Sequence, residues 1–347
     1  MAKSLVTNQN IKKGNIITRE MIEVKSPGQG LQPYLIDKLL GIKAKRDFLS
    51  GDYFFESDIM DSLSSARNYS FNRLFGIPAR YHDYGSLISK TNVDFVEFHL
   101  SYRDLDENLS NIFNKKQKID FLVHSPELFY GDHILNLCSD NLEYRKRSID
   151  ELTRVIEVSR SLKAYFPSTT KPLIVVNVGG YDKAVFLPKA KKTKMYEQVA
   201  NALDQVDSSG VELIIQTMPP FPWHFGGQSH HNLFVDPHEI SEFCKKTGYK
   251  ICLDISHSQM ACSYFNWSLS DFIKIVSTDV AHLHISDASG IDGEGIQIGG
   301  GDVNFDELAK TLDSLTPNIP FIPEIWQGHK QHGAGFWQGL EFLEKYL

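Results

Sequence analysis

KICLDISH, residues 250–257, sets a short apolar run directly before an acid, with a histidine three positions further on. A run of this kind reads as a strand buried on both faces, and the Asp marks where it leaves the core. The same pattern recurs on either side. RLFGIP, VDFVEF, IDFLVH, LIVVNV and VELIIQ precede it, and VAHLHI and PFIPEI follow, centred near residues 76, 96, 122, 175, 214, 282 and 322. Between them, stretches such as EYRKRSIDELTRVIEVSRSL and MYEQVANALDQV repeat apolar residues at three- and four-residue intervals, the period of an amphipathic helix. Eight strands alternating with helices over residues 71–347 predict an α/β fold, a (β/α)8 TIM barrel. No GxGxxG follows the first strand, so a dinucleotide-binding open sheet is not expected.

In such a barrel the active site lies at the C-terminal ends of the strands. Here those ends carry Glu97 and His99, His124, Gln216, Asp254 with His257 beyond it, His284 and Glu324. Acids and imidazoles converging from several strands on one barrel mouth would leave buried charge uncompensated unless a cation sat among them. Asp254 and Glu324 balance a dication. His284 and the carbonyl oxygen of Gln216 complete a mixed oxygen and nitrogen set suited to Mn2+, Mg2+ or Co2+, with Zn2+ also accommodated.

The 347 residues exceed what one core usually supports. Residues 1–61 read as a separate strand-rich module, with the runs SLVT, NIIT, MIEVK and GIKAK set between turn residues, and a small polar stretch supplies a linker at 62–70. A net charge of −7 and a pI near 6.0 argue against a general nucleic-acid-binding surface. Cys138, Cys244, Cys252 and Cys262 form no CxxC pair, no run reaches the length of a membrane span, and the N-terminus lacks the apolar stretch of a signal peptide. A cytoplasmic protein with no membrane partner is expected. The loop PPFPWHFGGQSHHN, residues 219–232, offers Trp223 and Phe225 for stacking and Gln228, His230, His231 or Asn232 for hydrogen bonds, the pattern of a pocket for a polar ligand. After the last strand, Trp326, His329 and Lys330 are candidates to close the pocket.

The segments LVHSPELFYGDHILNLCS, ICLDISHSQMA, HLHISDASG, IQIGGGDVNF and FIPEIWQGH resemble the xylose-isomerase-like TIM barrels, a superfamily that also holds the apurinic-site endonucleases. The resemblance runs from about Phe71 to Leu347. It implies a sugar isomerase or epimerase with one divalent ion bound by a Glu, an Asp, a His and a Glu on four strands; the matching positions are Gln216, Asp254, His284 and Glu324. It implies also that His257, in the DxxH pair with Asp254, contacts substrate or a further metal. In the epimerases the first Glu is an acid/base group as well as a ligand, and the amide of Gln216 cannot exchange a proton near neutral pH. Glu324 is then the base, with His257, Glu127 or Asp287 as the partner acid. His124, Asn177, Trp223, Gln228, Trp326 and His329 complete the expected substrate contacts. The endonuclease branch is not expected, because its three-zinc centre needs a Glu where Gln216 stands, a His where Asn177 stands, and a DxH near Gly293–Gly295.

The run SLVTNQNIKKGNIITREMIEVKSPGQGLQPYLIDKLLGIKAKRDFLSGD resembles the SAF, or antifreeze-like, domain of bacterial sialic acid synthases, a small β-clip-like fold. DIKKGE-IT is echoed by Asn10 to Thr18, the PG-G--P turn by Pro27 to Pro33, and G-KAKRD by Gly41 to Asp47. This resemblance implies nonulosonic (sialic-acid-like) biosynthesis and a homodimer in which the domain helps close the partner's sugar site, although Ser26 stands where those synthases carry an Arg. The expectation is a small N-terminal SAF domain followed by a barrel that turns over a sugar or amino sugar. The alternative is a non-catalytic sugar-binding or assembly module, motivated by Gln216.

Overall fold

The computed structural model describes residues 3–26, 30–59, 64–224 and 227–347, with the side chains of Glu56, Trp223 and His224 left out. The chain divides into two compact units, Met1–Ser65 with Gln327–Gln338, and Ala66–Trp326 with Gly339–Leu347. The segment Gln327–Gln338, which the sequence assigned to the barrel, thus groups with the N-terminal unit.

In the larger unit all eight apolar runs form strands: β1 (Gly76–Ala79), β2 (Phe95–His99), β3 (Asp120–His124), β4 (Leu173–Val176), β5 (Glu212–Gln216), β6 (Lys250–Asp254), β7 (Val280–Ile285) and β8 (Phe321–Pro323). Each pairs in parallel with its neighbours in chain order. A parallel bridge between Phe75 and Phe321, with Phe321 N–H donating to Leu74 O at 3.1 Å, brings the last strand against the first. The result is a nearly closed eight-stranded barrel. Longer helices fill the crossovers: α1 (Leu142–Leu162), α2 (Lys189–Leu203), α3 (Pro237–Thr247), α4 (Ile255–Phe265), α5 (Leu269–Val276) and α6 (Phe305–Leu315). Their ends follow from local chemistry. Asn141, Asp236, Ser268 and Asn304 cap the first turns of α1, α3, α5 and α6 through their side chains, and Gly248, at φ 81°, ends α3 in the left-handed conformation. No helix among the described residues is long and apolar enough to cross a membrane.

Because strand side chains alternate between faces, residues two apart share one. On the outward side, Phe121 of β3 and Phe98 of β2 pack on Phe166 behind α1, with ring centroids 5.0 and 5.6 Å away. On the other side, Phe95, Leu122 and Ile322 form one buried cluster, and Val175, Ile214 and Cys252 another. Two residues further along the same faces stand Glu97, His124, Glu324, Asn177, Gln216 and Asp254. The apolar layers therefore floor a polar layer at the strand ends.

The smaller unit pairs Ser4–Thr7 with Ile22–Lys25 as an antiparallel ladder, Ser4 opposite Lys25. Leu5, Ile11, Ile17, Ile22, Leu31, Leu39, Ala44, Phe48 and Phe54 form its core. The runs NIIT and GIKAK meet at the antiparallel bridge of Ile16 with Lys43, flanked by backbone bonds from Ile17 N–H to Ile42 O and from Ala44 N–H to Asn15 O at 2.9 and 2.8 Å. Gly14 and Gly41, at φ 91° and 82°, turn the backbone on either side before a ladder can extend.

Candidate active site at the barrel mouth

Asp254 is at once the last residue of β6 and the N-cap of α4. Its Oδ1 accepts from His257 N–H at 2.9 Å, which fixes the carboxylate and points Oδ2 across the mouth. There Gln216 Nε2, from β5, donates to it at 3.1 Å and lies 3.3 Å from His284 Nδ1 on β7. Oε2 of Glu324, one residue past β8, stands 2.6 Å from the same His284 nitrogen, and Asp254 Oδ2 stands 3.9 Å from it. Side chains from three other strand ends, Gln216, Asp254 and Glu324, thus approach one nitrogen of His284. Gln216, Asp254 and His284 are buried, while the Glu324 side chain is 26 % exposed.

The electrostatics of this group are those of a site short of positive charge. Burial pushes the Asp254 carboxyl well above the ordinary range, and the nearby Glu324 adds to the rise. Burial acts against the charge on Glu324 too, yet His284 and His99 hold its carboxyl well below the usual value. Burial disfavours the His257 imidazolium, but Asp254 and Glu294 outweigh it and carry that group to about 10. Two carboxylates within 4 Å of one imidazole nitrogen, at the end of a buried layer, are donors of the kind that hold a divalent cation. His124, His284 and Glu324 also offer one donor atom each within 4.8 Å of one another. Glu97 Oε1, His99 Nε2 and His284 Nε2 are buried without a hydrogen-bond partner of good geometry.

The amide of Gln216 fits the same ion in one orientation. His124 Nδ1 lies 2.9 Å from Ser125 O, an acceptor, and so carries the proton. Burial lowers this imidazole to about 4, which leaves Nε2 bare, and that nitrogen faces Gln216 Oε1 at 3.1 Å. Turning the amide end for end keeps the shape of the side chain, lets N–H meet Nε2 of His124, and presents the carbonyl oxygen toward Asp254 and His284. A cation there would favour that orientation.

The remaining expected residues divide. Glu127 accepts from Asn177 Nδ2 at 2.9 Å and burial raises its carboxyl, so the two act as a pair rather than as separate contacts. His257 Nδ1 lies 2.7 Å from Thr217 O and its Nε2 3.1 Å from Glu294 Oε1. Gln228 is exposed and pairs across a two-residue hairpin with Trp223, whose side chain, like Phe225, lies outside the described residues. Trp326 is 69 % exposed. His329 belongs to the Gln327–Gln338 segment of the smaller unit. His231 Nε2 meets Gly179 O at 3.0 Å, and Asn232 Oδ1 accepts from Leu187 N–H at 2.6 Å, so both fasten the loop after β5 to the loop after β4.

Asp287 is corrected. The sequence offered it as a partner acid, but its two oxygens accept four backbone N–H bonds, from Ala288 and Val303 on Oδ1 and from Gly299 and Gly301 on Oδ2, at 2.8 to 3.0 Å. It is fully buried and has no lone pair directed at the mouth. The glycine-rich IQIGGG stretch wraps this carboxylate, and a Cβ at Gly301 would collide with Ala288 O. Asp287→Ala leaves four amides unsatisfied, at about 1–3 kcal/mol for each that stays buried. Urea unfolding is expected to show a loss of at least about 3 kcal/mol.

Sequence reasoning noted Glu97 at a strand end without giving it a role, and passed over His282. Both are wholly buried and hydrogen-bonded to each other, His282 Nε2 to Glu97 Oε2 at 2.7 Å. The signal was present in the strand period, since each stands two residues before a polar strand-end histidine and so on the same face. Glu294, in the short hairpin strand Gly293–Ile296 after β7, carried no such signal.

The family model of the xylose isomerase-like TIM barrel matches residues 86–346. This chain belongs to that family. The SAF domain model matches residues 2–60, and over 57 residues, 16 % of this chain and 17 % of the other, the chain is 42 % identical to a pseudaminic acid synthase of Campylobacter jejuni subsp. jejuni. An uncharacterised protein of Methanocaldococcus jannaschii is 28 % identical over 205 residues, 56 % of this chain and 70 % of that one. The crystal structure of a D-tagatose 3-epimerase-like protein superposes with a TM-score of 0.55 at 21 % identity, covering 79 % of this chain and 96 % of the other. At that identity the likeness speaks for the fold.

Proposed function

We propose that the barrel is a divalent-metal-dependent isomerase or epimerase acting on a sugar or amino sugar, in the biosynthesis of a nonulosonic, sialic-acid-like product. The observation that carries the reading is the convergence of Gln216, Asp254 and Glu324 on Nδ1 of His284. A divalent ion held by these four would polarise a sugar carbonyl and its neighbouring hydroxyl, making the hydrogen on the carbon between them acidic. Glu324 is the base: its carboxylate is partly open to the mouth and His284 and His99 keep it ionised, ready to take that proton on an oxygen. Aldose–ketose isomerisation needs one such carboxylate, which returns the proton to the adjacent carbon on the same face. Epimerisation needs a donor on the opposite face, and Gln216 has none to give. His257, backed by Glu294, and Glu127 are the remaining groups with exchangeable protons. The sugar class is supported by the family and by the epimerase-like neighbour, and the nonulosonic setting by the synthase-like SAF domain.

Metal analysis and incubation with candidate ketoses and amino sugars in deuterated water test this. Solvent deuterium is expected at the carbon beside the carbonyl. Bound sugar without exchange would favour the other reading that Gln216 supports, a sugar-binding module of a synthase-like assembly.

We propose also a homodimer, because a module of this size has little core of its own. Light scattering on the full chain is expected to give about twice 39.4 kDa. A monomer would overturn the assignment.

A further inference from the structure

Glu97 takes no part in the ligand set or the proton transfer above, yet it stands wholly buried on β2 inside the barrel. Interior layers of such barrels are ordinarily filled by bulky branched side chains, and a carboxylate there is costly unless cations or N–H donors surround it. Its surroundings are three imidazoles. Oε2 accepts from His282 Nε2 at 2.7 Å, while Oε1 lies 3.0 Å from His284 Nε2 and 3.1 Å from His99 Nε2.

The two ring nitrogens of His284 therefore face opposite environments. Nε2 looks down at Glu97, and Nδ1 looks up at Glu324, Gln216 and Asp254. Both ring nitrogens face a carboxylate, Nε2 that of Glu97 at 3.0 Å and Nδ1 that of Glu324 at 2.6 Å, and a lone pair at either would meet like charge, so without an ion each holds a proton. A dication among Glu324, Gln216 and Asp254 would take the place of the proton on Nδ1 and leave the one on Nε2 with Glu97. We infer that Glu97 is a positioning residue, which holds His284 with Nε2–H toward itself so that the ring binds a divalent ion through Nδ1.

The inference rests on the metal-binding reading proposed above. Two other roles for Glu97 make different predictions. If it serves only as a structural partner of His282, its loss changes stability and leaves metal binding alone. Cys252, His282 and His284 also lie close enough to hold an ion of their own. The hydrogen bond of His282 Nε2 with Glu97 leaves His282 Nδ1 buried without a hydrogen-bond partner, so the number of ions bound decides between the two arrangements.

Cobalt(II) alone, titrated into the full-length wild type and Glu97→Gln and followed by calorimetry and visible absorption, separates these cases. The wild type is expected to bind one equivalent. Glu97→Gln, which keeps the volume but offers His284 an amide in place of an anion, is expected to bind about 10- to 100-fold more weakly with an altered ligand-field spectrum. Equal affinity and an unchanged spectrum overturn the inference while leaving the metal reading intact. A wild type that binds no cobalt overturns both. Two equivalents, one of them lost in Glu97→Gln, overturn it by making the interior cluster a second site. Because the variant has a buried position to accommodate, the zinc-loaded wild type supplies an independent readout by nitrogen-15 NMR. A proton on Nε2 of His284 is expected, and a proton on Nδ1 with Nε2 bound to zinc overturns the assignment.

Discussion

Asp254→Ala is expected to lower the affinity for a divalent ion by about 100-fold or more, because loss of a ligand exceeds the 10- to 100-fold cost of losing an outer-shell partner. Asp254 supplies one of two negative charges from the four strand ends, and Gln216, a neutral amide, cannot replace it. Two effects are joined in this residue, since its Oδ1 also caps α4. Loss of the cap costs about 1 kcal/mol whether or not a metal binds. Asp254→Asn separates them: Asn is a good N-cap, so the fold should recover most of its stability while the metal affinity stays low. Metal content after dialysis, isothermal titration with Mn2+ and urea unfolding of the two variants check this. If Asp254→Ala keeps its metal and changes at His124 and His257 remove it, the ligand assignment is wrong.

The barrel was legible because parallel strands buried on both faces must be short and apolar throughout, and each of the eight announces itself by where that run stops. The stopping residue also marked the site, since a strand end is where a barrel opens to solvent. Asp254, His284 and Glu324 were picked out this way, and the approach of Asp254 and Glu324 to one nitrogen of His284 is the geometric counterpart of a linear pattern. Glu97 was visible at its strand end but without a role, because its partners are set by the closure of the barrel. His282 was overlooked because attention went to the residue that ends each run and not to the residue two before it on the same face.

The loops were less legible for a different reason. Sequence shows that a polar group is present in a loop but not which partner takes it. Asp287 follows a strand end and looks like a catalytic acid, yet four amides of a glycine-rich turn consume both its oxygens. His231 and Asn232 look like sugar contacts, and instead tie two loops together. In each case a backbone N–H or C=O some residues away decides the role, and nothing in the local spacing reveals it. The short strands of the N-terminal unit illustrate the same limit: NIIT and GIKAK pair around Ile16 and Lys43, and the left-handed turns at Gly14 and Gly41 keep that pairing short.

Glu324→Gln is expected to cut solvent-deuterium exchange into the sugar by roughly a hundred- to ten-thousand-fold, the range that a positioned base contributes, while sparing most of the sugar affinity. The amide keeps the shape of the carboxylate and an oxygen for the ion, but cannot take the proton. Gln216→Glu is the complementary change. It adds an anionic ligand beside Asp254, so it should tighten divalent metal, and it places a proton-carrying group where the native chain has none. If the native reaction is a one-base isomerisation, Gln216→Glu should leave the isomerase rate within a few-fold and add slow epimerisation of small ketoses, read as deuterium incorporation with inversion. If the native reaction is epimerisation, its second proton already comes from His257 or Glu127, and substitution of one of these should abolish inversion while Gln216→Glu adds nothing. Exchange in the wild type that survives Glu324→Gln unchanged would remove Glu324 as the base. A wild type that binds sugar and metal yet exchanges no hydrogen, with neither variant altering that result, would leave the barrel a sugar-binding module and end the enzymatic reading.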